Sequence, residues 1–130
     1  MKSQIVVDKK TGSIICTAFA NGKTHDFKLY KDSGVHVLRR IKLKLDTGYQ
    51  GIKKIHANSE HPIKRRKKQK LTRGQKHYNR EISRERVTNE HVIGFLKRFK
   101  ILALPYRNRR KCFALRVNLL AGICNFDLTV

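Results

Sequence analysis

The strongest constraint on the fold of this chain is its charge. Its 130 residues include 31 Lys and Arg but only 9 Asp and Glu, which gives a formal net charge of +22. The positive charges of such a surface repel one another unless a polyanion or many counterions neutralise them. Hydrophobic residues still make up 39% of the sequence, which is enough to build one modest core in a chain of this length. We therefore expect a small folded domain, and nucleic acid is the first partner to consider.

The sequence offers no candidate membrane span. A bilayer-crossing helix needs roughly 20 consecutive apolar residues, and the best stretch, 113–126, is interrupted by Arg116 and Asn118. The first residues are typical of a strand and lack the long apolar stretch of a signal peptide. We expect a cytoplasmic protein without membrane contacts, associated with the nucleoid if its source is bacterial.

The apolar patterns predict a mixed α/β domain that no linker divides. β-branched residues flank the polar, glycine-ended connector 8–12, which is typical of a β-hairpin. Thr72 and Gln75 have the spacing of a capping box at the start of a long helical pattern. The predicted elements are a β-hairpin over 1–20, a short helix over 24–34, a strand over 40–46, a basic loop over 61–72, a helical region over 73–104 and a C-terminal helix over 109–126.

Among the few acidic residues, Asp46 and Glu90 have the positions that suggest chemistry. Asp46 ends the predicted strand and is followed by a glycine-containing turn, 48–51. Open α/β sheets place ligands at such strand ends. Asp26 has a simpler interpretation as the cap of the short helix, and a supporting role near the site is the alternative.

Glu90 lies in the helical pattern together with two cations. At about 100° per residue, Arg86 and Lys97 fall on the same narrow stripe as Glu90. An ordinary salt-bridged helix face explains this spacing. A phosphate-handling face explains it equally well, with the carboxylate binding a divalent metal and the cations holding phosphate oxygens.

A dense basic run precedes the helical region. Nine Lys and Arg and no acid lie between His61 and Arg80, and the centre of this stretch is the run Lys64, Arg65, Arg66, Lys67 and Lys68. Such a run is typical of an exposed loop. It either contacts nucleic acid through phosphates or is only a solvated loop.

The order of several motifs resembles a known family. The spacing Ser83-x-x-Arg86-x-x-x-Glu90-x-x-x-x-x-x-Lys97 resembles the Tyr-Arg-Glu-Lys signature of insertion-sequence transposases of the DDE superfamily, in the insertion-sequence-five group related to Harbinger elements, with Ser83 in place of the Tyr. Further stretches also resemble this family, namely Gly22–Asp26, Leu45–Gly51 and Tyr106–Arg110.

This resemblance implies a ribonuclease H-like fold in which two Asp and one Glu bind Mg²⁺ or Mn²⁺ for DNA strand cleavage and transfer. By position, Asp46 corresponds to the second Asp and Glu90 to the Glu. Arg86 and Lys97 would hold the DNA backbone near the metals. The implied partners are transposon-end DNA, the upstream half of a transposase and other transposase protomers.

The sequence departs from the family at the first catalytic Asp. That residue belongs to a strand before the hairpin, whereas Asp8 lies in the turn of the predicted hairpin. We therefore expect an N-terminally truncated catalytic domain that lacks its first strand, binds metal weakly and has little activity alone. A decayed element and a downstream frame completed by ribosomal frameshifting are both open.

A functional alternative needs no catalysis. The charge suits a basic module that binds DNA or RNA without chemistry. Asp46 and Glu90 distinguish the two hypotheses, because a pure binding module needs neither carboxylate.

Overall fold

The computed structural model describes residues 1–99 and 112–130, which form two compact units. The hairpin unit comprises Met1–Thr24 and the described part of Thr88–Val130, and the middle unit comprises His25–Val87. The predicted segments 100–104 and 109–111, and the motif Tyr106–Arg110, lie outside the described residues. Small sheets and helices alternate, so the structure belongs to the predicted mixed α/β class.

The hairpin unit begins with two antiparallel strands, β1 (Lys2–Val7) and β2 (Ile14–Ala20). The connector is closed by backbone hydrogen bonds from Asp8 N–H to Ser13 O, at 2.9 Å, and from Gly12 N–H to Asp8 O, at 2.8 Å. The pairing shifts next to Val7, so that Ile15 is skipped. Such a bulge bends the strand and re-aims side chains, and Ile15 is 66% exposed.

Two helices complete the hairpin unit, α3 (Val87–Arg98), whose residues from Thr88 onward belong to it, and α4 (Phe113–Asp127). Asn125 of α4 makes two hydrogen bonds to the backbone of the bulged strand. Its Oδ1 accepts from Ile14 N–H at 2.7 Å, and its Nδ2 donates to Ile14 O at 2.8 Å. The core of this unit consists of Ile14, Val92, Leu96, Leu120, Ala121 and Cys124.

The middle unit contains α1 (Asp26–Asp32), β3 (Leu43–Lys44), β4 (Ser59–Glu60) and α2 (Arg73–Glu85). β3 and β4 pair in parallel. Between them run two 3₁₀ turns, Thr47–Tyr49 and Ile52–Lys54. The core of this unit is Tyr30, Leu45 and Ile52, with Phe27, Val35, Leu43 and Tyr49 packed around it.

Several boundaries differ from the expected ones. Of the strand predicted over 40–46, only Leu43–Lys44 pairs, because its partner β4 is itself just two residues long. The helical region predicted over 73–104 is divided at Arg86, which lies in a turn between α2 and α3. The short helix is confined to Asp26–Asp32, and the basic stretch 61–72 contains no helix or strand.

Two capping predictions had opposite outcomes. The capping box at the start of α2 is confirmed, because Gln75 N–H donates to Thr72 Oγ1 at 3.3 Å and Thr72 N–H to Gln75 Oε1 at 3.0 Å. Asp26 is not the cap of α1. His25 takes that position, and its Nδ1 accepts from Phe27 N–H at 3.4 Å. Asp26 is the first helical residue, where a carboxylate is favoured by the helix dipole.

None of the helices within residues 1–99 and 112–130 is long and apolar enough to cross a bilayer.

Candidate functional site

Asp46 lies where β3 gives way to a 3₁₀ turn. The buried Leu45 before it is held by a hydrogen bond from its N–H to Glu60 O, at 2.9 Å, which fixes the end of the strand. Asp46 Oδ1 accepts from Thr47 N–H at 2.6 Å and from the Thr47 hydroxyl at 3.2 Å. The carboxylate is therefore held in place locally, while 56% of the side chain stays exposed.

Arg86 is the cationic partner of Asp46. Its guanidinium lies 3.4 Å from Asp46 Oδ1, and its backbone N–H caps α2 by donating to Ile82 O and Ser83 O. An ion pair with one exposed partner contributes about 0–1 kcal/mol. Every hydrogen bond and ion pair that Asp46 makes with the described residues uses Oδ1, so Oδ2 is open to a cation at little cost.

An ion-pair cluster fixes the helix end from which Arg86 projects. Lys44 of β3 pairs with Glu85 at the end of α2 and with Glu60 of β4, the latter at 3.8 Å. Lys42 donates to Glu60 at 2.8 Å, and this hydrogen bond is the main reason why the pKa of Glu60 is lowered. The cluster ties α2 to the short parallel sheet and so places Arg86 beside Asp46.

A second carboxylate, that of Asp26, approaches the turn after Asp46. A Cβ atom added to Gly48 would lie 2.9 Å from the carboxylate carbon of Asp26, so the close approach depends on glycine. Tyr49 packs edge-on against Tyr30 and lies within electrostatic range of both Asp26 and Asp46. Burial and the negative charges of Asp26 and Asp46 raise the pKa of Tyr49 to about 12.

The sequence left a helix cap and a supporting role near the site both open for Asp26, but it did not reveal the contact with Gly48. The helix-cap interpretation used only neighbours in the chain, whereas the contact joins residues 22 positions apart. A glycine two positions after a candidate ligand was the available signal, because glycine often marks a close approach of other groups to the backbone.

Glu90 and Lys97 lie on α3 in the hairpin unit. Glu90 is in the first turn and Lys97 in the last, both exposed and about 20° apart around the helix axis. Within the described part of the hairpin unit, Glu90 makes no ion pair. Of the predicted site residues, the structure therefore brings Asp46, Arg86 and Asp26 together in the middle unit, and Glu90 and Lys97 on one helix face.

The basic run from Lys64 to Lys68 is exposed and is anchored at both ends to α2. Before it, Ile63 N–H donates to Asn79 Oδ1 at 2.8 Å, and Asn79 Nδ2 donates back to Ile63 O at 3.1 Å. After it, Thr72 caps α2. The run is thus a loop closed on one helix, not a free tail.

The donor set suits a hard divalent cation. Carboxylate oxygens are preferred ligands of Mg²⁺, which usually keeps several waters and binds through one or two carboxylates plus substrate phosphates. Within residues 1–99 and 112–130, no three His, Cys, Asp or Glu side chains cluster into a ready-made metal site. Asp46, with its open Oδ2, fits as one ligand of such a cation.

Comparison with known proteins identifies the family. The family described as DDE superfamily endonuclease matches residues 1–125. A probable transposase for insertion sequence element IS702 from Microchaete diplosiphon is 50% identical over all 130 residues, and the chain spans 47% of the length of that relative. No solved structure gives a significant match. The resemblance seen in the sequence is therefore confirmed, and the chain belongs to the family of DDE superfamily endonucleases.

Proposed function

We propose that this chain supplies Asp46 and Glu90 to the metal site of a transposase that cleaves and transfers DNA strands, within a ribonuclease H-like catalytic domain. The observation that carries the proposal is the state of Asp46, whose Oδ1 is fixed by Thr47 and whose Oδ2 is open. Membership of an endonuclease family supports the reaction class.

The two acids contribute oxygen ligands. Mg²⁺ or Mn²⁺, when bound, supplies activation of the attacking oxygen and stabilisation of the leaving oxygen. Asp46 offers its open Oδ2 next to a weak ion pair, and Glu90 offers an exposed carboxylate that makes no ion pair with the described residues of its own unit. Both are therefore available to a metal without the cost of breaking a strong contact.

The cations contribute phosphate contacts. Arg86 stands 3.4 Å from Asp46, so its guanidinium is placed to hold a DNA phosphate beside the metal ligand. Lys97 shares a helix face with Glu90 and has the same role there. The run Lys64, Arg65, Arg66, Lys67 and Lys68 binds the DNA backbone without sequence preference, through counterion release.

A chimera provides the test of activity. This chain replaces the matching 47% of the IS702 relative, and Mg²⁺-dependent nicking of the element's DNA ends is measured. Loss of even an outer-shell partner of a metal site typically costs 10–100-fold, so Asp46→Asn and Glu90→Gln should each lower the rate by at least about a hundredfold. Asp32→Asn, on the exposed end of α1, is the matched control and should leave the rate unchanged.

Metal binding gives a readout that is independent of activity. Titration of the isolated chain with Mn²⁺ should broaden the NMR signals of Thr47 and its neighbours, and Asp46→Asn should abolish the effect. Nicking that survives the double variant Asp46→Asn with Glu90→Gln would refute the catalytic proposal. The chain would then be the non-catalytic, basic nucleic-acid-binding module.

A further inference from the structure

We propose that α2 carries a second DNA-binding surface, distinct from the basic run, that takes the phosphate backbone of duplex DNA. We name this surface the α2 stripe. At 100° per residue its members fall within a sector of about 100° on one side of the helix. They are Arg73, Lys76, His77, Arg80 and Arg84.

The α2 stripe is exposed and nearly free of anions. All five side chains are exposed, and four of them line an open hollow of about 290 Å³, namely Arg73, Lys76, His77 and Arg80. His77 pairs with Glu81 at 3.6 Å. The four Lys and Arg members make no ion pair with the described residues of the middle unit. Four permanent charges thus project from one helix face without an ion-pair partner among the described residues of their own unit.

The opposite face of α2 holds the stripe in a fixed orientation. Ile82 is 3% exposed, and Tyr78 and Asn79 beside it are half-buried. The capping box of Thr72 secures the start of the helix, and the ion pair of Glu85 with Lys44 secures its end. A preorganised helix loses less conformational freedom on binding than a loop does.

The chemistry of the stripe favours a nucleic-acid duplex over a lipid surface or a single strand, and the proposed function makes that duplex DNA. A helix that lies on a lipid surface inserts an apolar face, whereas α2 buries its apolar residue Ile82 within the protein. Binding of single strands relies on aromatic stacking, and the stripe contains no aromatic residue except the imidazole of His77. From Arg73 to Arg84 the stripe runs about 16 Å along the axis, a length over which a duplex carries about ten phosphate charges.

Binding of the intact chain to a short duplex of arbitrary sequence, followed by fluorescence anisotropy at several NaCl concentrations, tests the proposal. Each phosphate contact adds about 0.9 to the slope of log K against log salt. Replacing Arg73, Lys76, Arg80 and Arg84 by Gln should therefore lower that slope by about 2–4 and weaken binding at 0.1 M salt by at least about a hundredfold. Gln is a good helix former, and circular dichroism checks that α2 is retained.

A charge-matched control separates a specific surface from net charge. Replacing four other exposed cations of the middle unit by Gln, namely Lys28, Arg39, Arg40 and Lys54, removes the same charge. This variant should lower the slope by less than about 1. Equal losses in the two quadruple variants would overturn the α2 stripe.

A gain of affinity provides a second arm that unfolding cannot imitate. Glu81 pairs with His77 of the stripe, so Glu81→Gln should tighten binding several-fold. Asp32→Asn, which removes an exposed acid from α1, should change affinity less than twofold. No gain from Glu81→Gln, or binding of phosphatidylserine vesicles with the same dependence on the stripe, would overturn the assignment to DNA.

The choice of DNA rests on the proposed function, but the two fail separately. Suppose that the chimera nicks DNA and loses activity with Asp46→Asn, but that its slope of log K against log salt is unchanged by the stripe substitutions. That result would overturn only this inference. Suppose instead that the stripe substitutions lower the salt slope, but that substitution of Asp46 and Glu90 leaves the nicking rate unchanged. That result would overturn only the catalytic proposal.

Discussion

The contact between Gly48 and Asp26 can be tested by adding one methyl group. In Gly48→Ala the new Cβ would lie 2.9 Å from Asp26 Cγ and 3.2 Å from Asp26 Cβ, and still closer to Oδ2. Carbon atoms pack best at about 3.5–4.0 Å. The Asp26 side chain must therefore rotate away from the turn that follows Asp46, and it loses its present contacts.

The expected cost follows from two opposing effects. Overpacking of this kind costs about 1–3 kcal/mol. The backbone of Gly48 is not in the left-handed region, so alanine also recovers about 0.4–1 kcal/mol by restricting the unfolded chain. The net loss in unfolding free energy is about 1–2 kcal/mol. For a chain of this size that loss lowers Tm by roughly 3–10 °C.

Thermal unfolding of four variants measures this effect. Gly48→Ala should destabilise the protein, whereas Gly94→Ala, whose Cβ meets open space on α3, should stabilise it by up to about 1 kcal/mol. In the Asp26→Ala background the carboxylate is gone, so Gly48→Ala should cost less than about 0.5 kcal/mol. Equal costs of Gly48→Ala with and without Asp26 would show that the carboxylate does not occupy this space.

Two further predictions concern stability. Asn125→Ala leaves the N–H and C=O of the buried Ile14 without their partners and should cost about 2–4 kcal/mol in chemical denaturation, against less than about 1 kcal/mol for Asn118→Ala, which loses an exposed hydrogen bond to Thr17. The raised pKa of Tyr49, about 12, means that the unfolded chain releases this proton first, so stability is full below pH 10 and falls as the pH rises towards 12. In Tyr49→Phe that part of the fall should be missing from Tm measured across this range, and identical profiles would contradict the raised pKa.

Local signals in the sequence predicted what local interactions decide. The Thr72 and Gln75 capping box forms because both partners lie within one helical turn. A helix is also present where the C-terminal one was predicted, over Phe113–Asp127, and Val117, Leu120 and Cys124 are buried on it. These features need no knowledge of distant parts of the chain.

Tertiary pairing decided the features that sequence patterns did not reveal. The strand predicted over 40–46 is shortened to Leu43–Lys44 because its partner, β4, has only two residues. Both residues of β4 are polar, so no alternation of apolar residues in the sequence indicates this strand. The bulge at Ile15 lies next to Ile14, whose backbone is hydrogen-bonded by Asn125 from 111 positions away. Local propensity carries no information about either partner.

In the candidate site, too, the sequence identified individual residues but not the tertiary contacts between them. The sequence singled out Asp46, Arg86 and Glu90, and the structure joins the first two across 40 positions. The sequence pattern did not reveal the turn at Arg86, which interrupts the helix predicted to carry Arg86, Glu90 and Lys97. In that turn, the guanidinium of Arg86 pairs with the carboxylate of Asp46.

The charge of the whole chain bears on how such a site would work. A net charge of +22 attracts DNA and, by the same field, repels divalent cations from Asp46 and Glu90. We expect phosphates bound at the basic run and the α2 stripe to neutralise part of this field. Metal and DNA binding should therefore strengthen each other, and by linkage the factor is the same in both directions. On the proposed function, the chain is therefore expected to bind its metal more tightly once DNA is in place.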